Sequence, residues 1–519
     1  MKSVVVMLYA AKIRNKNQIE GLFQEFYVIL PIHILTVSML FNSFEFLIYL
    51  PIVFLLYWFV FRPRRQQNLL IVVASYVFYG WWDWRFLLLI ALTSLCSFGS
   101  GLLIEHYEGR RKQQRTVSAL NIILNLGILG VFKYYNFFAE NLDMLVNTLS
   151  GYRLDYVTMN IILPVGISFY TFQALSYSID VYRKKLPATR DAVEFFAYIS
   201  FFPQLVAGPI ERATNLLPQF QRERRFDYAQ AVDGCRQMLW GFFKKMVVAD
   251  NCAAAVDYIW TGYENQTGFM LLIGALLFTF QIYGDFSGYS DIAIGCARLF
   301  GFDLKRNFSF PYFSRSIPDF WRRWHISLFS WLRDYVYFPL GGSRCSRLKN
   351  IRNVFVVWGI SGLWHGANWT YVVWGLYHGV LIVIYNLLGI KHTEGRTPLY
   401  LKLLQGGITF FLVVIGWIIF RAETIGDAVS YMSSMFSSSL FDISGSHDAL
   451  KAMGFTKTPG LVFMLLCEWL MRDRQHALQW DASTRLFRKA WVRYIFYIVL
   501  ATMTIAHAGT KAAFIYFQF

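Results

Sequence analysis

The sequence predicts an all-α polytopic membrane protein. Hydrophobic residues make up 56% of the 519 residues, aromatic residues 19% and charged residues only 16%, and the mean hydropathy is +0.39. The apolar residues are gathered in long runs, and every stretch between two runs is shorter than an independent globular unit. A chain of this composition suits a lipid environment, where helices satisfy their own backbone hydrogen bonds.

The apolar runs are long enough, or nearly long enough, to cross a bilayer as helices. They lie around residues 26–38, 44–61, 69–80, 86–104, 118–137, 159–181, 235–256, 268–283, 354–390, 403–420, 459–471 and 492–508. We therefore expect about a dozen crossings.

The N-terminal residues 1–38 are interpreted as an extension. Several basic residues precede a moderately apolar stretch, but no small-residue cleavage site follows, which argues against a cleaved signal peptide. Met39 would make a natural start before the strong run 44–61. We expect residues 39–519 to form a single transmembrane domain.

The net charge of +17 comes from short basic clusters between apolar runs, a distribution typical of topology signals and not of nucleic-acid binding. The clusters 62–65, 110–112 and 183–185 are therefore predicted to be cytoplasmic. This makes 69–104 a hairpin, with Trp81–Trp84 at the far interface, where aromatic side chains concentrate.

The same rule orders the crossings that follow. The cluster 183–185 is cytoplasmic if 118–137 leads outward, 138–158 is an outer loop and 159–181 returns. Next, Phe195–Ile210 carries two prolines and a glycine and is followed by the basic cluster 222–225. If both flanks are cytoplasmic, this segment must enter and return, so we predict a re-entrant element covered by protein.

Polar side chains crowd the segment Tyr283–Asp291 between the apolar runs 268–283 and 292–300. Such groups need partners at membrane depth. Asp285 and Asp291 are six residues apart and do not share a helical face, so we expect each to bond arginine or backbone and to shape a cavity. No cluster of His, Cys, Asp and Glu has metal-ligand spacing, and we predict no metal and no bound cofactor.

A second informative region is Phe308–Gly342. Ser316 followed by Pro318 and Asp319 predicts a helix start. The apolar face then repeats at three- and four-residue steps through Trp321, Trp324, His325, Leu328, Leu332 and Tyr335, opposite Arg323, Ser327, Ser330 and Asp334. The pattern predicts one amphipathic helix at the cytoplasmic interface. A packed anchor and a functional role for His325 both fit it.

His365 lies inside the strongly apolar stretch 354–374. An imidazole at membrane depth is costly and usually faces a protein-lined cavity or a reacting site, although a buried histidine can also simply pack. Gly362 and Gly366 allow a neighbouring helix to approach closely, and Asn368 is expected one turn on, on the same face. These neighbours favour a functional histidine.

Several ordered motifs resemble the membrane-bound O-acyltransferase (MBOAT) family, and among its members those that O-acetylate alginate. The motifs are Leu163–Tyr170, Phe202–Pro209, Asp285–Asp291, Phe320–Leu328, Trp331–Tyr335 and Gly362–Asn368, and the resemblance extends from about Met39 to Tyr516–Phe519. One departure is Phe329, where a small hydroxyl residue is expected. Residues 1–38 lie outside the resemblance.

The resemblance implies a ring of transmembrane helices, with re-entrant and interfacial helices, around a central tunnel. It implies that His365 is catalytic and that His325 is a second important histidine nearer the cytoplasm. Asn368 or Trp364 would orient the base, and Arg322 and Arg323 would engage the phosphates of coenzyme A. Trp324, Asp285 and Asp291 complete the candidate substrate-binding residues.

The implied activity is transfer of an acetyl group from acetyl-CoA in the cytoplasm to an extracytoplasmic hydroxyl. The acceptor would be a partner protein of a polysaccharide-modification complex or the exopolysaccharide itself, alginate or cellulose, at the bacterial inner membrane. D-alanylation of a cell-envelope polymer is the alternative within the family.

Two interpretations from other classes stay open. In a polysaccharide or acyl transporter, the buried polar residues would line a translocation path, although no internal repeat supports this. In a scaffold that recruits a soluble acetyltransferase, both histidines would be structural.

Overall fold

The fold is helical throughout the part of the chain that the structure describes. The computed structural model describes residues 39–515 with gaps at 157, 159–161, 207, 390–397, 445, 447–450, 452–458, 480–486, 488, 508–511 and 513. No strand occurs among these residues, which confirms the predicted all-α fold class. The proposed extension 1–38 and the C-terminal motif 516–519 lie outside the described residues.

The α-helices of the described residues are numbered in chain order. They are α1 (Phe44–Leu55), α2 (Arg64–Asp83), α3 (Leu87–His106), α4 (Arg111–Leu129), α5 (Tyr135–Ser150), α6 (Ile167–Tyr182), α7 (Ala192–Ser200), α8 (Phe202–Leu205), α9 (Ala213–Gln221), α10 (Tyr228–Phe242), α11 (Asp250–Thr261), α12 (Gly268–Leu299), α13 (Ile317–Arg323), α14 (Ile326–Leu332), α15 (Arg347–His365), α16 (Trp369–Leu387), α17 (Leu399–Arg421), α18 (Ile425–Met435), α19 (Pro459–Leu470) and α20 (Ala490–Ala506).

Short turns of other helical types join or extend these helices. The π-helical turns are Leu56–Val60, Gly130–Tyr134, Phe243–Ala249 and Arg333–Tyr337, and the 3₁₀ turns are Trp84–Phe86, Tyr263–Asn265, Pro311–Phe313 and Ser438–Phe441. Such π turns insert an extra residue into a helix and often occur at functional sites.

Helices α2 and α3 form the predicted hairpin. The 3₁₀ turn between them is capped by Asp83, whose carboxylate accepts a hydrogen bond from the backbone of Arg85 at 2.9 Å. The start of α2 and the end of α3 contact the same segment, because Arg64 pairs with Glu194 at 2.9 Å and Glu105 pairs with Arg190 at 3.5 Å. Both ends therefore lie on one side of the protein.

The basic clusters 62–65, 110–112, 183–185 and 222–225 share this side, which we call the basic face. Lys184 pairs with Glu108 at 2.8 Å, and the Arg111 guanidinium lies 4.5 Å from the centre of the Tyr182 ring. Arg224 donates a hydrogen bond to Asn68 in α2 at 2.6 Å. The relative topology predicted from the clusters is therefore confirmed.

The segment α7–α9 follows the predicted re-entrant path. Arg64 on the basic face contacts both of its ends, at Glu194 and at the carbonyl of Gln221, which accepts a hydrogen bond at 2.6 Å. In between, the backbone breaks at Phe201, which is fully buried. Irregular backbone is tolerated here because surrounding protein covers it.

The predicted outer loop 138–158 is wrong over most of its length. The helix continues through the π turn Gly130–Tyr134 and α5 to Ser150, where Gly151 ends it with a φ of 68°. Leu142, Leu145 and Leu149 recur at helical spacing and are exposed, so they form an apolar stripe that favours helix over loop.

Five helical stretches of the described residues are long and apolar enough to cross a membrane. They are Arg64–His106, which is the hairpin α2–α3, and Arg111–Ser150, Gly268–Leu299, Trp369–Leu387 and Leu399–Arg421. Phe44–Val60, Pro459–Leu470 and Ala490–Ala506 are shorter apolar helices. Among the described residues these stretches are fewer than the predicted crossings, and the predicted run 26–38 lies outside the described residues.

The densest packing lies between α10 with its π-helical extension and α12. A Cβ added to Gly241 would lie 2.6 Å from the carbonyl oxygen of Gly288, and one added to Gly288 would lie 2.8 Å from that of Gly241. Real Cβ atoms do not approach a carbonyl oxygen this closely. Paired glycines therefore let the two backbones touch, as in other membrane helix pairs.

We expect Gly241→Ala to destabilise the protein by about 1–3 kcal/mol, because the new methyl group forces α10 and α12 apart. The measurement is the thermal unfolding midpoint in detergent micelles. Gly99→Ala in α3 is the matched control, since nothing lies within 4 Å of its added Cβ. Equal midpoints for the two variants would contradict the close contact.

Candidate active site

His365 is the last residue of α15, and its ring is enclosed by aromatic side chains. The ring centres of Trp364 and Trp374 lie 5.0 Å from its own, and that of Phe420 lies 5.3 Å away, all nearly perpendicular to it. His325 lies 6.4 Å away by the same measure. His365 is 4% exposed and His325 is fully buried, so the structure brings the two predicted histidines together inside the protein.

The turn between α15 and α16 places His365 in this position. Gly362 and Gly375 lie so close to the facing helix that an added Cβ would collide with the backbone of Tyr371 and Trp358, respectively. The close helix approach expected from the glycines is therefore confirmed for Gly362.

The expected position of Asn368 on the same helical face as His365 is wrong. The helix ends at His365, and Asn368 instead caps α16, accepting a hydrogen bond from the backbone of Thr370 at 3.0 Å. Its amide group donates to the carbonyl of Glu423 at 2.9 Å. Its side chain therefore ties the turn to the end of α17.

The single amphipathic helix predicted from Ser316 is also wrong, because it breaks at His325. This residue separates α13 from α14 and has a φ of 45°, in the left-handed region that non-glycine residues rarely adopt. The break turns the ring into the core, where it lies 4.7 Å from the ring of Phe286 and 5.5 Å from that of Trp364. Strained backbone of this kind clusters at functional sites.

Asn307 fixes the tautomer of His325. Its side-chain oxygen accepts hydrogen bonds from the backbone N–H and the hydroxyl of Ser327, and its amide group donates to Ser290. The same oxygen lies 3.1 Å from Nδ1 of His325, so Nδ1 must carry the proton. Nε2 of the neutral ring then carries the lone pair that can accept a proton.

A small chamber of about 50 Å³ adjoins His365. It is lined by Lys133, Trp364, His365 and the segment 163–169, which lies within the motif Leu163–Tyr170. Lys133 was missed from the sequence. The available signal was that it is the only charged residue between Arg115 and Glu140, in the middle of an apolar run.

Trp324 lies one aromatic layer away from the histidines. Its ring contacts that of Trp417 at 4.8 Å, and Trp417 in turn stacks on Trp374 at 6.0 Å. Phe329, the departure from the family pattern, packs against Trp321 at 4.5 Å and Trp358 at 4.9 Å. Both residues therefore support the aromatic wall behind the site.

The two arginines predicted to bind phosphates have different surroundings. Arg322 is exposed, whereas Arg323 pairs with Asp319 of its own helix at 3.0 Å. A denser basic group surrounds Tyr335, where Arg183, Lys185 and Arg212 place their charges 5.4–5.8 Å from the ring centre.

This Tyr335 group borders an open depression of about 460 Å³ on the basic face, lined by Arg183, Lys185, Asp334, Phe338 and Pro339. Burial alone would raise the pKa of Asp334, but a hydrogen bond from Arg333 and the charge of Arg212 hold it below its usual range. Asp334 is therefore ionised at neutral pH. Asp334 and Asp180 lie among four basic side chains, Arg183, Lys185, Arg212 and Arg333, so net positive charge remains.

Asp285 and Asp291 lie in the middle of α12, which runs unbroken through the segment that we expected to separate two apolar runs. Their expected arginine partners are wrong, because both pair with lysines of the π turn Phe243–Ala249. Asp285 lies 2.6 Å from Lys245, and Asp291 lies 2.6 Å from Lys244. Asp285 does accept a backbone hydrogen bond, from Ile515 at 2.7 Å.

Neither carboxylate is among the residues that line the chamber. No group of three or more His, Cys, Asp or Glu side chains among the described residues is arranged to hold a metal ion.

The sequence matches the model of the MBOAT, membrane-bound O-acyltransferase, family over residues 73–394. The chain belongs to this family. It is 42% identical over 407 residues to "Probable alginate O-acetylase AlgI" of Pseudomonas aeruginosa, a match that covers 78% of this chain and 76% of the relative.

Other members of the family align over similar or greater lengths. The Pseudomonas putida protein of the same description is 37% identical over 499 residues, covering 93% of this chain and 100% of the relative. "Peptidoglycan O-acetyltransferase" of Helicobacter pylori is 33% identical over 431 residues, covering 76% of this chain and 80% of the relative. The predicted family, the membrane acyltransferase activity and the multi-pass membrane location are thereby confirmed.

In this MBOAT protein we expect Asn307→Ala to lower kcat for acyl transfer by about 10²-fold, the loss that a 1 Å misplacement of a catalytic group can cause. The variant removes the oxygen that orients His325. Asn350→Ala is the control, because among the described residues the side chain of Asn350 accepts a hydrogen bond from Tyr337 and bonds neither histidine. An unchanged kcat in a folded Asn307→Ala protein would show that the tautomer of His325 is immaterial.

Proposed function

We propose that this MBOAT protein transfers an acetyl group from acetyl-CoA in the cytoplasm to an extracytoplasmic hydroxyl, for O-acetylation of an exopolysaccharide. The observation that carries the proposal is the buried histidine pair, with ring centres 6.4 Å apart. It adjoins a small chamber on one side and connects through α14 to the basic depression on the other. The bacterial inner membrane is the compartment in which such a donor and acceptor are separated.

The reaction needs one general base and a path for one proton. His365, as a neutral imidazole, takes the proton of the attacking hydroxyl while its oxygen bonds to the thioester carbonyl carbon. When the tetrahedral intermediate collapses, the carbon–sulfur bond breaks, and the imidazolium returns the proton to the leaving thiolate. His325, whose Nε2 carries a lone pair, can receive that proton from His365 and pass it on to the thiolate.

The donor would bind from the basic face. The depression is lined by Arg183 and Lys185, and Arg212 lies beside the neighbouring Tyr335 ring; this positive charge next to an aromatic ring suits the phosphates of coenzyme A. Tyr335 lies ten residues from His325, or about 15 Å along a helix. An extended donor held by its phosphates at the depression would thus point its thioester toward the histidines.

The size of the chamber favours a short acyl group. A water molecule needs roughly 10–15 Å³ by the same measure, so a chamber of about 50 Å³ admits only a few such groups. An acetyl group fits this space.

The relatives favour an exopolysaccharide acceptor. Since the alignments with alginate O-acetylases cover most of both chains, alginate or a similar polymer such as cellulose is the leading acceptor. An extracytoplasmic partner protein would relay the acetyl group to the polymer. D-alanyl transfer is less favoured by these similarities, and an acyltransferase family argues against the transporter and the scaffold.

The first test is release of coenzyme A from labelled acetyl-CoA by the purified protein in liposomes, with alginate or cellulose oligosaccharides as acceptors. We expect His365→Ala to lower turnover by about 10²–10⁴-fold, the usual contribution of a general base. His106→Ala is the matched control, because this histidine is exposed at the end of α3. Full activity of His365→Ala would refute its role as the base.

A second test locates the donor phosphates. We expect Arg183→Gln and Lys185→Gln each to raise KM for acetyl-CoA about tenfold or more with little change in kcat, since each removes a charge-assisted bond. The effect should weaken at high salt. Arg322→Gln serves as the control and should leave KM unchanged. A rise in KM confined to Arg322→Gln would move the donor site to that arginine.

A further inference from the structure

Lys133 and Tyr134 sit in the π turn Gly130–Tyr134 at the junction of α4 and α5. Lys133 is 22 residues from Arg111 at the start of α4, or about 33 Å along the helix. This distance is about the thickness of a bilayer's hydrocarbon core, so Lys133 lies far from the basic face. A lysine at this position cannot be a topology signal of that face and needs another explanation.

The two side chains bond the end of the helix that carries His365. The ammonium of Lys133 donates to the carbonyl oxygens of Trp364 at 2.7 Å and of His365 at 2.9 Å. The hydroxyl of Tyr134 donates to the carbonyl oxygen of Leu363 at 2.6 Å. These carbonyls belong to the last turn of α15, where carbonyl groups have no N–H partner within the helix.

The arrangement suits a helix C-terminus, because a cation there interacts favourably with the helix dipole and with the free carbonyls. It also fixes the direction of His365. The backbone of the catalytic candidate is held directly by Lys133, across 232 residues of sequence.

The ammonium also faces the chamber. Lys133 and His365 line the same space of about 50 Å³. An ammonium has three N–H donors, and among the described residues two of them bond the carbonyl oxygens of Trp364 and His365. Since Lys133 lines the chamber, its third N–H is available to a group bound there.

We propose that Lys133 positions His365 and supplies the positive charge that stabilises the oxyanion of the acyl-transfer intermediate. Two of its donors hold the end of α15. The third faces the carbonyl oxygen, which becomes negative when the hydroxyl oxygen bonds to the acyl carbon and becomes neutral again when the carbon–sulfur bond breaks. The charge role rests on the proposed function, whereas the clamp on α15 does not.

Three variants separate the clamp from the charge. Lys133→Met removes both, Lys133→Arg keeps charge and donors, and Tyr134→Phe removes only the uncharged bond to Leu363. Each purified full-length protein is checked for folding by its thermal unfolding midpoint. Acetyl transfer in liposomes gives kcat and KM, and amide hydrogen exchange of peptides covering 359–369 reports on the end of α15.

We expect Lys133→Met to lower kcat by about 10²–10³-fold with KM changed by less than about threefold, the loss typical of removing one oxyanion donor. Lys133→Arg should stay within about tenfold of the wild type, and Tyr134→Phe should lose less than Lys133→Met. Exchange at 359–369 should rise in Lys133→Met and in Tyr134→Phe.

Unchanged exchange in a folded Lys133→Met protein would overturn the clamp. Equal kcat losses in Lys133→Met and Tyr134→Phe, or an Arg variant as inactive as the Met variant, would overturn the charge role. If the wild type transfers no acetyl group from acetyl-CoA, the charge role falls together with the proposed function, while the exchange data still decide the clamp. Should Lys133→Met fail to fold, Lys133→Gln replaces it in both measurements.

Discussion

The buried ion pairs between α12 and the π turn that follows α10 constrain the rest of the structure. Lys245 lies within 2.7 Å of both Asp250 and Asp285, and Lys244 lies 2.6 Å from Asp291. Charges buried this deeply are strongly destabilising unless each is paired, so the pairs fix the rotation of α12 about its axis. Phe286 and Ser290 lie on the opposite side of α12. There Phe286 contacts the ring of His325, and Ser290 accepts a hydrogen bond from Asn307.

The site itself is made from interruptions of helices. His325 occupies a left-handed break between two short helices, and His365 ends a long one. Irregular backbone at membrane depth leaves polar groups that lipid cannot satisfy, so the surrounding protein must do so. At the first break Asn307 accepts a hydrogen bond from the backbone of Ser327, and at the second Lys133 and Tyr134 donate to backbone carbonyls. The same contacts that satisfy the backbone therefore orient the two imidazoles.

The two ends of the molecule differ in charge. Helix α15 runs from Arg347, in a basic stretch, to His365 over 19 residues, or about 27 Å. Arg183 and Lys185 line the depression at one end, and the chamber beside His365 lies toward the other. His365 lines the chamber, and Tyr335 beside the depression lies ten residues along the chain from His325, so the histidine pair lies between the two cavities in the chain's path.

The sequence by itself determined the all-α class, the hairpin and the re-entrant segment and singled out both histidines as candidates, because hydrophobic runs, basic clusters and family motifs are written in consecutive residues. Only the tertiary structure decided the helix break at His325, the capping role of Asn368 and the lysine partners of Asp285 and Asp291. It also revealed Asn307 and Lys133, which act across gaps of 18 and 232 residues. Such contacts depend on which helix ends meet in space, and local periodicity carries no information about that.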